Sequence, residues 1–93
     1  MKHASEAAVL KNKPLLDRLA KVEGQLRGIR KMIEDECYCD DVINQIEASR
    51  SALKSISLLL LENHIHHCVI KEIQNGDVSG VEATIQTLRK LVK

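Results

Sequence analysis

The chain has 93 residues, among them one Tyr and no Trp or Phe, so its hydrophobic content of 44% comes mainly from aliphatic side chains that favour packing between helices. The formal net charge of +1 excludes a uniformly basic or acidic protein, and the longest apolar run, the four leucines at 58–61, is far too short to span a bilayer. Three cysteines, an odd number, and a start without the apolar region of a secretory leader predict a cytoplasmic protein with reduced thiols.

The first predicted element is an amphipathic helix over about residues 14–35. Pro14 suits its first turn, and the apolar positions that follow recur at spacings of three and four: Leu15, Leu19, Val22, Leu26, Ile29 and Ile33. Gly24 and Gly28 indicate either the close approach of another backbone or a locally weak helix. We expect residues 1–12 to form a flexible N-terminal tail and residues 13–93 a single helical domain.

The charges of this first helix are strongly biased. Residues 11–31 contain seven basic and two acidic residues, whereas residues 34–41 contain five acidic residues and no basic one. The basic segment is either a surface for phosphate groups or a solvated helix face. The acidic segment is predicted to connect two helices, with Asp40 or Asp41 as an N-cap.

The second predicted helix is long, over about residues 40–74, because no Gly or Pro occurs between Val42 and Gly76 and apolar residues keep helical spacing. Such a helix would extend about 50 Å, which is longer than a globule of this size is wide. It therefore needs a partner helix, and self-association is expected of so small a chain. The sequence "NGDVSG" at 75–80 ends this helix and begins a third, whose apolar positions are Val81, Ile85, Leu88 and Leu91.

The sequence "HIHHC" at 64–68 places candidate metal ligands at the end of the second helix. His64 and Cys68 are four residues apart and therefore share one face of a helix. The alternative is a partly buried histidine and a structural cysteine. Two ligands do not complete a metal site, and the remaining candidates are Cys37, Cys39, His66, His67 and His3.

Cys39 is the favoured third ligand because the start of a helix stabilises a thiolate. It precedes His64 by 25 residues, about 37 Å along a helix, so it cannot reach that histidine in its own chain. Two antiparallel copies of the second helix would bring the two ends together. The spacing thus predicts a dimer with two sites, each built from Cys39 of one chain and His64 and Cys68 of the other. Two thiolates and one imidazole suit Cu(I), which accepts three ligands.

Three segments carry a family resemblance: "RLAKVEGQLRGIRKMIED", "YCDDVINQI" and "LLLENHIHHC". Together they resemble the copper-sensitive operon repressor (CsoR) family over about residues 15–92. The resemblance implies an all-α fold of three helices, with a long central helix pairing antiparallel in a dimer and dimers assembling into a tetramer. It also implies a Cu(I) site shared between subunits, whose family ligands fall on Cys39, His64 and Cys68.

The resemblance assigns further residues. Tyr38 matches the family's Tyr beside the first ligating Cys, an outer partner of the ligating His, whereas Thr84 stands where copper members have a Glu in the third helix. The basic first helix becomes a DNA surface, to which the second helix adds two residues; the candidates are Arg18, Lys21, Gln25, Arg27, Arg30, Lys31, Arg50 and Lys54.

The implied function is a repressor that binds operator DNA when metal-free and is released by Cu(I), which derepresses copper-export genes. A persulfide or thiol sensor, which would use Cys39 and Cys68, and a nickel or cobalt sensor, which would recruit His3 or His67, are the alternatives. We expect no enzyme activity, no small-molecule substrate and no membrane partner, since no catalytic pattern occurs in the sequence.

Overall fold

The computed structural model describes the backbone of residues 6–93 and the side chains of residues 12–93. Its elements in chain order are α1 (Glu6–Glu34), α2 (Cys39–His64), a π-helical turn (Ile65–Val69), α3 (Ile70–Gln74) and α4 (Ser79–Leu91). The predicted all-α class is confirmed, and no strand occurs within residues 6–93. Since α2, the π turn and α3 follow one another without a break, the order of three predicted helices is confirmed as well.

The predicted start of the first helix near Pro14 is wrong, because α1 begins at Glu6 and contains Pro14 in its interior. Good helix formers, among them Ala7, Ala8 and Leu10, precede the proline, and its fixed φ near −65° is compatible with a helix. Residues 1–5 of the predicted N-terminal tail lie outside the described residues.

The connection between α1 and α2 is shorter than predicted and comprises residues 35–38. The N–H of Cys37 donates to the carbonyl oxygen of Met32 (2.9 Å) and that of Glu36 to Ile33 (3.1 Å), which is the Schellman pattern of helix ends. Glu36 takes the left-handed conformation of this motif, with φ of 54°, which is unfavourable for a residue that has a Cβ. The motif therefore ends α1 at a cost in conformational free energy at Glu36.

Residues up to Ile56 form the first of two compact units. Its buried side chains recur every seven residues, at Leu15, Val22 and Ile29 of α1 and at Val42 and Ser49 of α2. The hydroxyl of Ser49 donates to Oε1 of Gln25 at 3.1 Å, so α1 and α2 are in direct contact. The unit is a pair of helices joined by a tight turn.

The second unit comprises residues 57–93. Val69 in the π turn is its one buried apolar residue among the described side chains, and α4 packs against this turn. The sequence "NGDVSG" forms a second Schellman motif, in which Gly76 has a φ of 85° and Asp77 N–H donates to the carbonyl of Glu72 at 2.8 Å.

The Asp77 side chain also bonds to the first residue of α4. Its Oδ1 accepts bonds from the backbone N–H (2.9 Å) and the hydroxyl (2.6 Å) of Ser79. The Ser79 hydroxyl, followed by the Ser79 backbone N–H, lowers the pKa of the Asp77 carboxyl below its ordinary value, because both bonds favour the charged form.

A large share of the apolar side chains stays exposed in the single chain. Leu16, Ile33 and Leu60 are all more than half exposed, and Val92 is 70% exposed. In residues 6–93, no helix is both long and apolar enough to cross a membrane. Exposed apolar side chains on this scale are typical of surfaces that contact another protein chain.

Candidate metal centre and nucleic-acid interface

The predicted pair of ligands lies at a change of helix type. His64 is the last residue of α2, and Cys68 lies in the π turn, where Ile70 N–H donates to the carbonyl of Ile65, five residues earlier. Residues four apart are neighbours on one side of a helix. Both side chains are exposed, and the Cys68 thiol is free. The two side chains are therefore candidates for ligands of one ion.

His64 also lines a cavity of about 390 Å³ in the second unit. The end of α2 and one face of α4 form its walls, and the lining residues are Ser57, Leu60, Leu61, His64, Ala83, Thr84, Thr87, Lys90 and Leu91. Thr84, which the resemblance placed opposite the ligating histidine, is therefore in the same cavity as His64. Its hydroxyl donates to the carbonyl of Gly80 at 2.8 Å, so it is bonded within its own helix, and it has no carboxylate to present to His64.

Cys39 is the first residue of α2 and is exposed with a free thiol. The carbonyl of Tyr38 accepts the N–H groups of Asp41 (3.0 Å) and Val42 (3.2 Å), so Tyr38 rather than Asp40 or Asp41 occupies the N-cap position. The carboxylates of Asp40 and Asp41 share the first turn of α2 with Cys39. Tyr38 is 69% exposed, so its phenol is accessible to another chain.

Within one chain these ligands do not meet. Cys39 and His64 are the two ends of α2, about 37 Å apart at the rise of an α-helix. In the part of the chain that the structure describes, no three His, Cys, Asp or Glu side chains form a group that could hold a metal ion. A metal site that used all three predicted ligands would therefore need a second chain.

The other candidate ligands differ in their surroundings. His66 is exposed, His67 is half-buried, and Cys37 is an exposed free thiol in the turn before α2. His3 lies outside the described residues. His67 follows His64 by three residues and is therefore a neighbour of the predicted pair on the helix surface.

The exposed face of α2 carries a stripe of apolar residues with coiled-coil spacing. Ile43, Ile46, Leu53 and Leu60 are each more than 40% exposed and follow one another at three and seven residues. Cys39 and His64 extend the same stripe by four residues at either end. A partner helix on this stripe would contact the ligand positions as well.

The predicted DNA residues of α1 divide between two faces. At about 100° per residue, Arg18, Lys21 and Gln25 lie within one sector of the helix. The basic side chains of Arg27, Arg30 and Lys31 lie on the opposite side. The three residues of the first sector line a groove of about 240 Å³ together with Val22 of α1 and Ala52, Ser55 and Ile56 of α2.

Arg50 and Lys54, the two candidates on α2, point away from this groove, because they are turned by about 160° to 200° from Ala52. Arg50 pairs with Glu47 at 3.4 Å and Arg30 with Glu34 at 3.0 Å, both on the exposed surface. Exposed pairs of this kind contribute about 0 to 1 kcal/mol. A phosphate group could therefore replace either carboxylate.

Two parts of the site were missed by the sequence reasoning. The π turn has no signature that we can identify, since "IHHCV" keeps the spacing of an ordinary helix. The role of Ser49 could have been found from the sequence, because this serine occupies a position where the helical spacing of the second helix predicts an apolar residue. Such a buried hydroxyl needs a hydrogen-bond partner, and here the partner is Gln25.

Comparison with known proteins identifies the family. The family model of the metal-sensitive transcriptional repressors matches residues 11–93. The copper-sensing transcriptional repressor CsoR of Bacillus subtilis is 40% identical over 80 residues, which are 85% of this chain and 79% of the relative. The copper-sensing transcriptional repressor RicR of Mycobacterium tuberculosis is 52% identical over 59 residues, 63% of this chain and 62% of the relative.

Two solved structures are similar along almost the whole chain. The copper-sensing repressor CsoR with Cu(I) from Geobacillus thermodenitrificans has a TM-score of 0.83 and 33% identity, and the match covers 100% of this chain and 95% of that one. The nickel-responsive transcriptional regulator InrS has a TM-score of 0.67 and 25% identity, with 99% and 93% covered. The helical fold, the matched segments and the relatives agree, and the chain belongs to the metal-sensitive transcriptional repressor family.

Proposed function

We propose that the protein is a Cu(I)-responsive transcriptional repressor of the cytoplasm, which binds operator DNA when metal-free and leaves it when Cu(I) binds, so that copper-export genes are transcribed. The observation that carries this proposal is the placement of Cys39 at one end of α2 and of His64 and Cys68 at the other. The relatives named as copper-sensing repressors support it.

The metal ligands are Cys39 of one chain and His64 and Cys68 of its partner. All three side chains are exposed and both thiols are free, so they fit a soft metal without rearrangement of a core. Two thiolates and one imidazole satisfy the trigonal preference of Cu(I), whereas Zn²⁺ or Ni²⁺ would need a fourth ligand. When bound, Cu(I) supplies a link between the ends of two chains.

The dimer forms along the apolar stripe of α2, with the two copies antiparallel. Burial of Ile43, Ile46, Leu53 and Leu60 supplies the association energy, and the two-fold axis relates two equivalent metal sites. Dimers then pair into a tetramer through apolar side chains that the dimer leaves exposed. Candidates for that contact are Leu16, Leu26, Ile33, Ile85, Leu88 and Val92.

Operator DNA binds to the basic residues of α1 and α2. The phosphate partners are Arg18, Lys21, Arg27, Arg30, Lys31, Arg50 and Lys54, with Gln25 as a polar contact. Since no helix has the sequence signature of a recognition helix, much of the affinity comes from the DNA backbone, with DNA shape contributing to specificity. Binding should therefore weaken steeply as salt is added.

Cu(I) binding and DNA binding weaken each other, because they favour different arrangements of the subunits. Cu(I) stabilises an arrangement that fits DNA poorly, and linkage requires that DNA weaken Cu(I) binding by the same factor. A coupling of about 3 kcal/mol would correspond to about 150-fold. Of the two outer partners of the ligating histidine that the resemblance implies, Tyr38 is present, whereas Thr84 stands in place of the Glu. We therefore expect a weaker coupling between metal and DNA than in relatives that have this Glu.

The first test measures operator binding by fluorescence anisotropy under anaerobic conditions, with a labelled duplex obtained by in vitro selection against the metal-free protein. Cu(I), Ni(II), Zn(II) and a persulfide donor are added in turn to the wild type and to His64→Ala. We expect Cu(I) to release the wild type and to leave His64→Ala bound. Equal Cu(I) affinity with and without the duplex would refute the coupling.

The same experiment separates the alternatives. Release by persulfide with His64→Ala still responsive would assign a thiol sensor that uses Cys39 and Cys68. Release by Ni(II), with d–d absorption bands and a need for His3 or His67, would assign a nickel or cobalt sensor, the role for which InrS is named. A protein that selects no duplex at all would lack the repressor function.

A further inference from the structure

Four of the seven residues that line the groove between α1 and α2 carry hydrogen-bond donors in their side chains. Val22, only 2% exposed, lies beneath it, and Arg18 and Lys21 project from α1 beside it. No acidic residue is among the described residues that line it. Arg18 and Lys21 form no ion pair with another described residue, so their charges are available to an external anion.

Gln25 is the neutral member of this set, and its orientation is fixed from below. Ser49 is 3% exposed and is the one buried polar residue among the described side chains. Its hydroxyl donates to Oε1 of Gln25 at 3.1 Å. Because this bond occupies the oxygen end of the carboxamide, the NH₂ end is the part of Gln25 that is free to bind a ligand.

The resulting donor set matches one chemical group. Arg18, Lys21 and the NH₂ of Gln25 donate only, and the Ser55 hydroxyl can donate as well. A phosphodiester accepts through its oxygens and carries a negative charge, so it satisfies every one of these groups. A free carboxamide could turn its oxygen toward the phosphate, which would be repulsive, and the bond from Ser49 prevents that rotation.

We propose that the α1–α2 groove is a binding site for a DNA backbone phosphate and that Ser49, although buried, is a positioning residue for DNA affinity, because it holds the Gln25 carboxamide with its NH₂ group toward the phosphate. This inference rests on the proposed repressor function, and it adds a residue that does not itself touch the DNA.

The test compares operator affinity and its salt dependence in metal-free full-length variants, with the in vitro selected duplex as the probe. Ser49→Ala and Gln25→Ala should each weaken binding by about tenfold. Neither should change the slope of log K against log salt, because no charge is removed. Lys21→Ala should instead reduce that slope by about 1 for each phosphate that the lysine no longer neutralises.

Three further variants distinguish positioning from a structural role. Ser49→Ala in the Gln25→Ala background should cause no additional loss, since there is no amide left to orient. Gln25→Glu keeps the acceptor for Ser49 but removes the NH₂ group, so it should bind more weakly than Gln25→Ala. Ser51→Ala, at an exposed serine of α2 outside the groove, is the matched control and should bind as the wild type does.

The outcomes separate this inference from the function on which it rests. If the wild type binds the duplex and Cu(I) releases it, but Ser49→Ala and Gln25→Ala bind normally, the groove is not a phosphate site and the function stands. A lower melting temperature of Ser49→Ala with unchanged affinity would make the Ser49–Gln25 bond a tie between helices only. If the wild type binds no duplex, the proposed function itself fails.

Discussion

The intersubunit metal site predicts that two inactive variants restore one another when their chains are mixed. Neither Cys39→Ser nor His64→Ala alone can form a complete site in a homodimer. In a mixed dimer, the His64→Ala chain contributes an intact Cys39 and the Cys39→Ser chain contributes an intact His64 and Cys68. One of the two sites is therefore complete, whereas the other lacks both altered ligands.

The expected magnitude follows from the geometry of α2. Because its ends are about 37 Å apart, no site can form within one chain. Random exchange makes half of the dimers mixed, each with one of two sites, so the mixture should bind about one quarter of the Cu(I) that the wild type binds with high affinity. A site within one chain would give none.

The assay is an anaerobic Cu(I) titration against a chromogenic chelator that binds Cu(I) more tightly than any site left with only two ligands. The variants are unfolded together and refolded so that their chains exchange. Cys39→Ser mixed with Cys68→Ser should recover the same fraction. His64→Ala mixed with Cys68→Ser should recover nothing, because both losses fall on the same half of the site. Recovery in this last mixture, or none in the first, would refute the antiparallel arrangement.

Three further predictions concern single positions. Glu36→Gly should raise the free energy of unfolding in urea by about 0.5 to 1 kcal/mol, since relief of the left-handed strain exceeds the extra freedom of glycine when unfolded, and an unchanged midpoint would count against strain at this φ of 54°. Because the pKa of Asp77 is lower in the folded state, its carboxylate contributes stability above about pH 3.9, and this contribution is lost as the pH falls through the folded-state pKa. Urea titrations should therefore show that Asp77→Asn loses less stability than the wild type on acidification. Thr84→Glu, in the cavity beside His64, should enlarge the fold-change in operator affinity caused by Cu(I) without changing its stoichiometry, and an unaltered fold-change in anisotropy would show that position 84 does not carry the coupling.

The order and type of the helices were predictable because their signals are local. Apolar residues at spacings of three and four define α1, α2 and α4, and "NGDVSG" marks the turn at Gly76. The start of α1 was not predictable from Pro14, because a proline is favoured in a first turn and costs about 3 kcal/mol or more inside a helix, whereas α1 contains it in its interior.

For the candidate site, the sequence supplies the candidate residues but only part of their geometry. The distance between Cys39 and His64 follows from the helical rise, so the spacing of the two residues along the chain is enough to deduce the need for a second chain. The π turn could not be deduced in this way, because the residues at 65–69 keep the spacing of an ordinary α-helix.

The sequence by itself determined the all-α fold, the candidate ligand residues, the basic character of α1 and the family, because each depends on residue type and on periodicity along the chain. Only the tertiary structure decided which side of α1 borders a groove. Helical periodicity alone separates Arg18, Lys21 and Gln25 from Arg27, Arg30 and Lys31, but the packing of the helices joined the first group to Ser49 and Ser55 across the α1–α2 contact. The physical reason is that a helix distributes its residues around its axis, and which side becomes a groove depends on the helix packed against it.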